Sequence, residues 1–263
     1  GCVLFAMWFA SGIVMMYVGY PKLTDAERLA HLPALSQTAP LLAPDVALAR
    51  AGVTGPLDGL RLAASSGGRA VYVATPSASG KHGAIVIDAI SGARVETVNA
   101  ANALASAAAW AGPGVNVHYQ DVIDEDAFTH SRGLDAQRPL HRVEVNDADR
   151  TLLYVSGKTG EVVRDATRSE QLWNYAGAWI HWLYPFRGNL FQPYWTNIVN
   201  YLAIAGIAAA LSGTVAGILR WRFRTPYRSG ARTPYPNAMM RWHHVTGLLF
   251  ALVTIAWIFS GLM

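Results

Sequence analysis

The sequence is poor in charge and in cysteine. Only 14% of its 263 residues are Asp, Glu, Lys or Arg, whereas soluble domains average about 25%. This composition argues against a wholly soluble or a disordered chain, because both rely on charged residues to stay hydrated. The single cysteine, Cys2, excludes an intrachain disulfide and a thiolate cage for zinc or an iron–sulfur cluster.

Acidic residues are missing from both ends of the chain. All 17 lie between Asp25 and Glu170. The segment from Lys22 to Arg187 has 15 basic and 17 acidic residues, net −2, and six arginines follow it without a single acid. The formal charge of +4 therefore comes from one short segment, and no nucleic-acid partner is indicated.

The two ends of the chain contain long apolar runs without charged residues. The clearest is Trp195–Leu219, whose 25 residues exceed the roughly 20 that cross a hydrocarbon core as a helix. We predict a membrane α-helical bundle with three spans, at residues 1–20, 194–219 and 243–263. The first run begins without Met or a basic flank and the last stops without a flanking loop, so we expect both helices to be truncated pieces of a longer membrane protein.

The placement of arginine predicts the orientation of these spans. The loop at residues 220–242 contains six arginines and no acid, and short basic loops stay in the cytoplasm. Residues 21–192 then form a large periplasmic domain of a multi-pass protein of the bacterial inner membrane. Aromatic residues collect before the second span, as at a membrane interface; they are Trp182, Tyr184, Tyr194 and Trp195.

The periplasmic segment contains an internal repeat. Alternating residues around a Ser-Gly turn predict a β-hairpin at residues 84–98, and the same form recurs 68 residues later at 152–163. We predict two α+β units, at about 45–111 and 115–184, each with a helix packed on an antiparallel sheet. The further candidate strands are 70–75, 115–123 and 140–145, and the candidate helices are 45–51, 99–110 and 169–183.

The two ends of the chain also share a motif. W-x-x-S-G occurs at Trp8–Gly12 and again at Trp257–Gly261, an offset of 249 residues. This is either a second internal repeat or a coincidence between two apolar helices.

Four runs of the sequence together point to a family. They are Trp8–Leu29 (WFASGIVMMYVGYPKLTDAERL), Arg138–Val145 (RPLHRVEV), Tyr154–Arg168 (YVSGKTGEVVRDATR) and Trp173–Pro185 (WNYAGAWIHWLYP). The chain resembles the PepSY-associated transmembrane proteins over most of its length. The resemblance implies PepSY units outside the membrane, and some members are iron-regulated inner-membrane proteins or haem-bearing reductases of ferric siderophores. It thereby implies the lipid bilayer, ferric iron or a ferric siderophore, and a periplasmic or TonB-dependent receptor as partners.

Three histidines are candidate haem ligands by position, because imidazole is a usual axial ligand of haem iron. His243 and His244 open the third predicted span at its cytoplasmic end, and His181 precedes the second span at its outer end. Adjacent helix residues point about 100° apart, so only one of the pair can face a given haem. We expect His243 to face the interior of the bundle and His244 to face lipid. The H-x-x-x-G pattern of His243 and Gly247 resembles the start of a helix in the family.

His181 and His243 cannot bind the same iron, because a core about 30 Å thick separates the two membrane faces. If both are ligands, the chain holds two b-type haems, with partner ligands outside this fragment. The alternative is that these histidines only hydrogen-bond to headgroups or backbone carbonyls.

The other histidines show no metal-binding spacing, and we expect most of them at the surface; they are His31, His82, His118, His130 and His141. His118 precedes an acidic stretch that is either an iron-attracting patch or a solvated loop; its acids are Asp121, Asp124, Glu125 and Asp126.

Two functions fit these patterns. The first is a haem-bearing electron carrier or reductase that passes electrons to periplasmic ferric iron or a ferric siderophore. One-electron transfer needs no general acid or nucleophile, which agrees with the lack of G-x-S-x-G and H-E-x-x-H motifs; no catalytic residue is assigned. The second is a non-redox, membrane-anchored PepSY module that binds a peptide, a protease or a receptor.

Overall fold

An α+β fold with two antiparallel sheets is seen in the computed structural model, which describes residues 2–35, 40–77, 84–187 and 190–262. The chain divides into two compact units. One is Trp8–His181, and the other combines Gly1–Met7 with Trp182–Met263.

The first sheet is a three-stranded meander in the order β1-β2-β3. Its strands are β1 (Leu57–Ser65), β2 (Arg69–Pro76) and β3 (Ile85–Asp88). Helix α3 (Pro44–Arg50) begins with proline, which suits the first helical turn. Its buried Ala47 joins Tyr72 and Ile87 in a core on this sheet.

The second sheet has four strands in the order β4-β5-β6-β7. They are β4 (Val117–Ile123), β5 (Leu140–Val145), β6 (Leu152–Ser156) and β7 (Val162–Ala166). Helix α4 (Ala100–Ala111) is capped by the Asn99 side chain and places Ala103 and Ala107 against Val143 and Leu153 of this sheet.

The helix predicted to close the first repeat therefore covers the second sheet. In each repeat the helix precedes its meander, α3 before β1–β3 and α4 before β4–β7. The turn positions 68 residues apart remain equivalent. The carboxylate of Asp88 accepts backbone N–H groups of Ile90 and Ser91, and the hydroxyl of Ser156 accepts those of Lys158 and Thr159.

The first repeat has only a trace of a fourth strand. Arg94 forms an isolated bridge with Ile87 where β7 pairs with β6 in the second repeat. The predicted hairpin at 84–98 is thus shorter than its counterpart, although its turn at Ser91–Gly92 is present.

The remaining elements are helical. They are α1 (Cys2–Tyr17), α2 (Asp25–His31), a 3-10 turn (Arg132–Gln137), α5 (Arg168–Asn174) with a π-helical turn (Tyr175–Trp179), 3-10 turns at Tyr184–Phe186 and Gln192–Tyr194, α6 (Trp195–Arg220), α7 (Ala238–Leu249) and α8 (Ala251–Ser260). The serine hydroxyls of both W-x-x-S-G motifs donate to the tryptophan carbonyl three residues earlier.

The prediction of a membrane bundle with three spans is wrong. Within the described residues, only the helical stretch Gln192–Arg220, with 29 residues and a mean hydropathy of 2.1, could cross a membrane alone by length and composition. The apolar part of α1 in the described residues is a shorter helix, Val3–Tyr17. Helices α7 and α8 could count as one span only as a pair bent by 66°.

Candidate functional site

His181 lies directly after the π-helical turn and is tied to α1. The indole N–H of Trp8 donates to the His181 carbonyl at 2.6 Å. In return, the Nδ1 atom of His181 lies 3.2 Å from the Trp8 carbonyl and 3.2 Å from Oγ of Ser11. These contacts join residues more than 160 positions apart. One holds the His181 backbone, and the other two hold its imidazole ring.

The hydrogen bonds of His181 determine its tautomer. The Trp8 carbonyl can only accept, so Nδ1 of His181 carries the proton and Nε2 keeps its lone pair. Burial lowers the pKa of His181 below its ordinary value, although the bond to the Trp8 carbonyl opposes this shift. A neutral ring with Nδ1–H on a backbone carbonyl is the usual state of a metal-binding histidine.

The sequence around the π-helical turn explains why this ring can reach α1. Thr167 and Glu170 form a reciprocal cap that starts α5. A Cβ atom at Gly177 would lie 3.2 Å from Val14 and from Met15, so glycine permits the close approach of the two segments. Single π-helical turns within helices are frequent at functional sites.

His244 has a structural role. It is 7% exposed, and its Nε2 lies 2.9 Å from the Gly217 carbonyl while its Nδ1 lies 2.7 Å from the Thr233 hydroxyl. Because the carbonyl can only accept, Nε2 carries the proton and Nδ1 accepts from Thr233. Neither ring nitrogen has a lone pair left for iron.

The structure reverses the predicted faces of α7. His244, expected to face lipid, is buried, and His243, expected in the interior, is exposed. Leu248 follows His244 on the same face and packs closely on α6, since a Cβ atom at Gly217 would lie 2.9 Å from it. Gly217 of α6 thus permits close helix packing.

The three candidate ligands differ in how well they fit haem. His181 has an available Nε2 and a supported Nδ1, as an axial ligand requires. His243 has no hydrogen-bond partner within the described part of the chain, so its ring is also available. His244 does not fit. No group of three or more His, Cys, Asp or Glu that could hold a metal ion occurs among the described residues.

The other histidines are less exposed than predicted. His130 and His141 are buried; His130 contacts Glu125, and His141 lies between the Tyr119 hydroxyl and the Val98 carbonyl. His118 is exposed, as predicted, and His82 lies outside the described residues.

Two of the four acids after His118 share one arginine of the protein. Arg142 pairs with Asp121 at 2.8 Å and with Asp126 at 3.4 Å. The hydroxyl of Tyr154 also donates to Asp126 at 2.7 Å. These carboxylates are therefore committed to internal contacts rather than free for iron.

The predicted aromatic group before α6 does form a cluster. Tyr184 packs against Trp182 and Trp195 at ring distances of 5.4 and 5.9 Å, and the Trp195 indole donates to the Trp182 carbonyl at 2.9 Å. The guanidinium of Arg187 lies over the rings of Tyr184 and Trp195.

A shallow cleft in the Trp8–His181 unit was not predicted from the sequence. Arg28 and His31 line it, and the His31 ring stacks on Trp110 at 4.4 Å. Glu161 also lines it and accepts two hydrogen bonds from Arg61. No local motif marks this cleft, because its residues come from distant parts of the chain.

Comparisons with known proteins give no match to a family model, a curated protein or a solved structure.

Proposed function

We propose that the chain is a membrane-anchored haem protein of the bacterial inner membrane that passes electrons to ferric iron or a ferric siderophore in the periplasm. The observation that carries the proposal is the state of His181, whose Nδ1–H is bound by the Trp8 carbonyl while Nε2 is left to bind iron. Ferric iron or a ferric siderophore is proposed as the electron acceptor because the four sequence runs resemble PepSY proteins.

The residues around His181 would hold its ring in the orientation of a ligand. Trp8 fixes the His181 backbone through its indole and the His181 ring through its carbonyl. Ser11 is 3% exposed and lies beside the same ring nitrogen. A hydrogen bond from the second ring nitrogen to a carbonyl raises the basicity of a histidine ligand and keeps its tautomer.

Haem, when bound, supplies one-electron transfer at its iron. The protein's part is to bind the group, orient its ligand and anchor the chain, and α6 is the helix suited to anchoring. His243 is the second candidate ligand, at the basic end of α6 and α7, because its ring has no hydrogen-bond partner in the described ranges.

The test is a reduced-minus-oxidised visible spectrum of the full chain purified in detergent after expression with adequate haem, with pyridine haemochrome quantification. We expect the bands of a six-coordinate b-type haem. The His181→Ala variant should lose most of the haem assigned to this position, whereas the exposed His118→Ala variant should retain it.

The Trp8→Phe variant keeps an aromatic ring and the backbone carbonyl but removes the indole N–H bond to His181. We expect retained haem with a shifted midpoint potential, because the ligand backbone is less firmly held. A colourless wild-type protein, or His181→Ala with unchanged haem content and spectrum, would contradict the proposal.

A non-redox binding module is the second candidate function, and the cleft favours it. Arg28 is half-buried and pairs with the exposed Asp25 at 3.5 Å. Its guanidinium and the His31–Trp110 stack suit an acidic side chain of a bound peptide that competes with Asp25. A colourless protein that binds an acidic peptide, with binding lost in Arg28→Ala and kept in Arg132→Ala, would support this function over the first.

A further inference from the structure

The basic loop between α6 and α7 has a defined conformation. Its backbone folds back on itself, with Arg222 N–H donating to the Arg232 carbonyl at 2.9 Å and Tyr227 N–H to the Ala231 carbonyl at 2.9 Å. The Tyr227 hydroxyl reaches the Arg220 carbonyl at the end of α6, also at 2.9 Å. Arg222, Arg224, Arg228 and Arg232 therefore lie on a folded turn, whereas Arg220 ends α6 and Arg241 lies in α7.

His244 anchors this turn to the helices. Its ring joins Thr233 of the loop to Gly217 of α6 through its two nitrogens. The rings of Trp221 and Tyr235 meet it edge-on at 5.6 and 5.4 Å. The buried His244 thus contacts both ends of the turn and attaches it to the end of α6.

The six arginines of the loop fall into two groups. Arg220 donates to the Tyr235 hydroxyl, Arg232 donates to backbone carbonyls, and Arg222 lies over the Tyr227 ring. The second group, Arg224, Arg228 and Arg241, is exposed and has no side-chain hydrogen bond or ion pair within the described residues. No acid follows Glu170 in the sequence.

Large exposed apolar side chains lie close in sequence to these three arginines. Phe223 is 65% exposed, Trp242 is 66% exposed and Met239 is 80% exposed. Basic and apolar side chains side by side are the composition of segments that lie in the headgroup region of a bilayer. Their position at the end of α6 is where that region would be if α6 crosses the membrane.

We propose that the loop at residues 220–242 is a binding surface for the phosphate groups of anionic phospholipids. Arg224, Arg228 and Arg241 bind the phosphates, and Phe223 and Trp242 enter the layer of headgroups. The inference goes beyond the proposed redox function and does not depend on haem. It also goes beyond membrane orientation, because it requires selectivity for anionic over zwitterionic lipid.

The test is a titration of the full chain in a nonionic detergent with short-chain phosphatidylglycerol and with phosphatidylcholine, with bound lipid counted by native mass spectrometry. We expect preferential binding of phosphatidylglycerol. Substitution of all three free arginines, R224S/R228S/R241S, should weaken it on the order of one hundredfold. The lysine variant R224K/R228K/R241K should retain most of the binding, because it keeps the charges.

The matched control is R132S/K158S/R168S, which removes the same charge from other exposed positions; these have no side-chain partner in the part of the chain that the structure describes. It should bind phosphatidylglycerol as the wild type does. Equal binding of the two lipids, an equal loss in the control, or full displacement of lipid by inorganic phosphate would overturn the proposal.

Discussion

At the scale of single residues, two histidines one position apart have opposite environments. The sequence showed that only one of His243 and His244 can face a given partner, and it could not show which. The deciding residue is Thr233, which lies 11 positions earlier and binds His244. For His181, the position was predicted, but its partners Trp8 and Ser11 lie too far away in sequence to be found by spacing.

Asp165 is a titratable residue whose environment makes a prediction about stability. Burial is the largest cause that raises its pKa to about 6, and the nearby carboxylates of Glu27 and Glu170 raise it further. Its folded pKa thus exceeds the ordinary value, so folding favours the protonated form. The free energy of unfolding falls as the pH rises from about 4 to 6, and the full penalty is present above that window.

We therefore expect Asp165→Asn to stabilise the chain above pH 7. Because Asp165 is only partly buried, solvent screening limits the gain to about 1 kcal/mol. Thermal unfolding of the full chain in detergent should show a higher midpoint for the variant at pH 8 and no difference near pH 4. The control Asp124→Asn, at an exposed position, should change neither; a gain at both pH values would argue against a titration effect.

At the scale of elements, the strands were easier to predict than the packing of the helices. The sequence identified β2, β4, β5 and the β6–β7 hairpin. In β4 and β7 the residues alternate between more and less buried positions, whereas β2 and β6 are buried over most of their length. The prediction missed β1, where Gly59 and a run of exposed residues break the alternation. The wrong partner for α4 has a similar cause: an alanine-rich helix shows no feature that selects one of two sheets.

The turn between β6 and β7 connects the two repeats within the Trp8–His181 unit. Gly160 has a φ of +71°, and a Cβ atom there would lie 2.3 Å from Oγ of Ser65 in β1. That hydroxyl donates to the Thr159 carbonyl at 2.7 Å. Glycine is therefore required at position 160 for two reasons: it adopts the left-handed backbone conformation, and it leaves room for Ser65 of the first sheet.

We expect Gly160→Ala to destabilise the chain by about 3 kcal/mol, about 1 from the backbone conformation and the rest from the displaced Ser65 hydroxyl. Gly114→Ala is the matched control, since Gly114 has a φ of +81° and no atom within 4 Å of its Cβ position. Chemical denaturation should give the control a loss of about 1 kcal/mol. Equal losses in the two variants would mean that the contact with Ser65 contributes nothing.

At the scale of the whole molecule, apolar composition predicted more membrane spans than the helices provide. Pro21 follows the run of residues 1–20 and disfavours the helical conformation at Tyr20, and α1 ends earlier still, at Tyr17. The run at 243–263 is divided at Phe250, where neither glycine nor proline marks a break. Only the run at 194–219 is one uninterrupted helix.

The orientation of this helix remains a prediction and can be measured. If α6 crosses the inner membrane, the six arginines after it keep the loop in the cytoplasm and place the two sheets in the periplasm. In a Cys2→Ser background, we expect Asp124→Cys to react with a membrane-impermeant maleimide in intact spheroplasts, and Ser229→Cys to react only after detergent is added. Both positions are exposed. A difference in their labelling therefore reflects the membrane barrier and not burial within the protein. Labelling of both in intact spheroplasts would mean that α6 does not cross the membrane, and the opposite pattern would reverse the orientation.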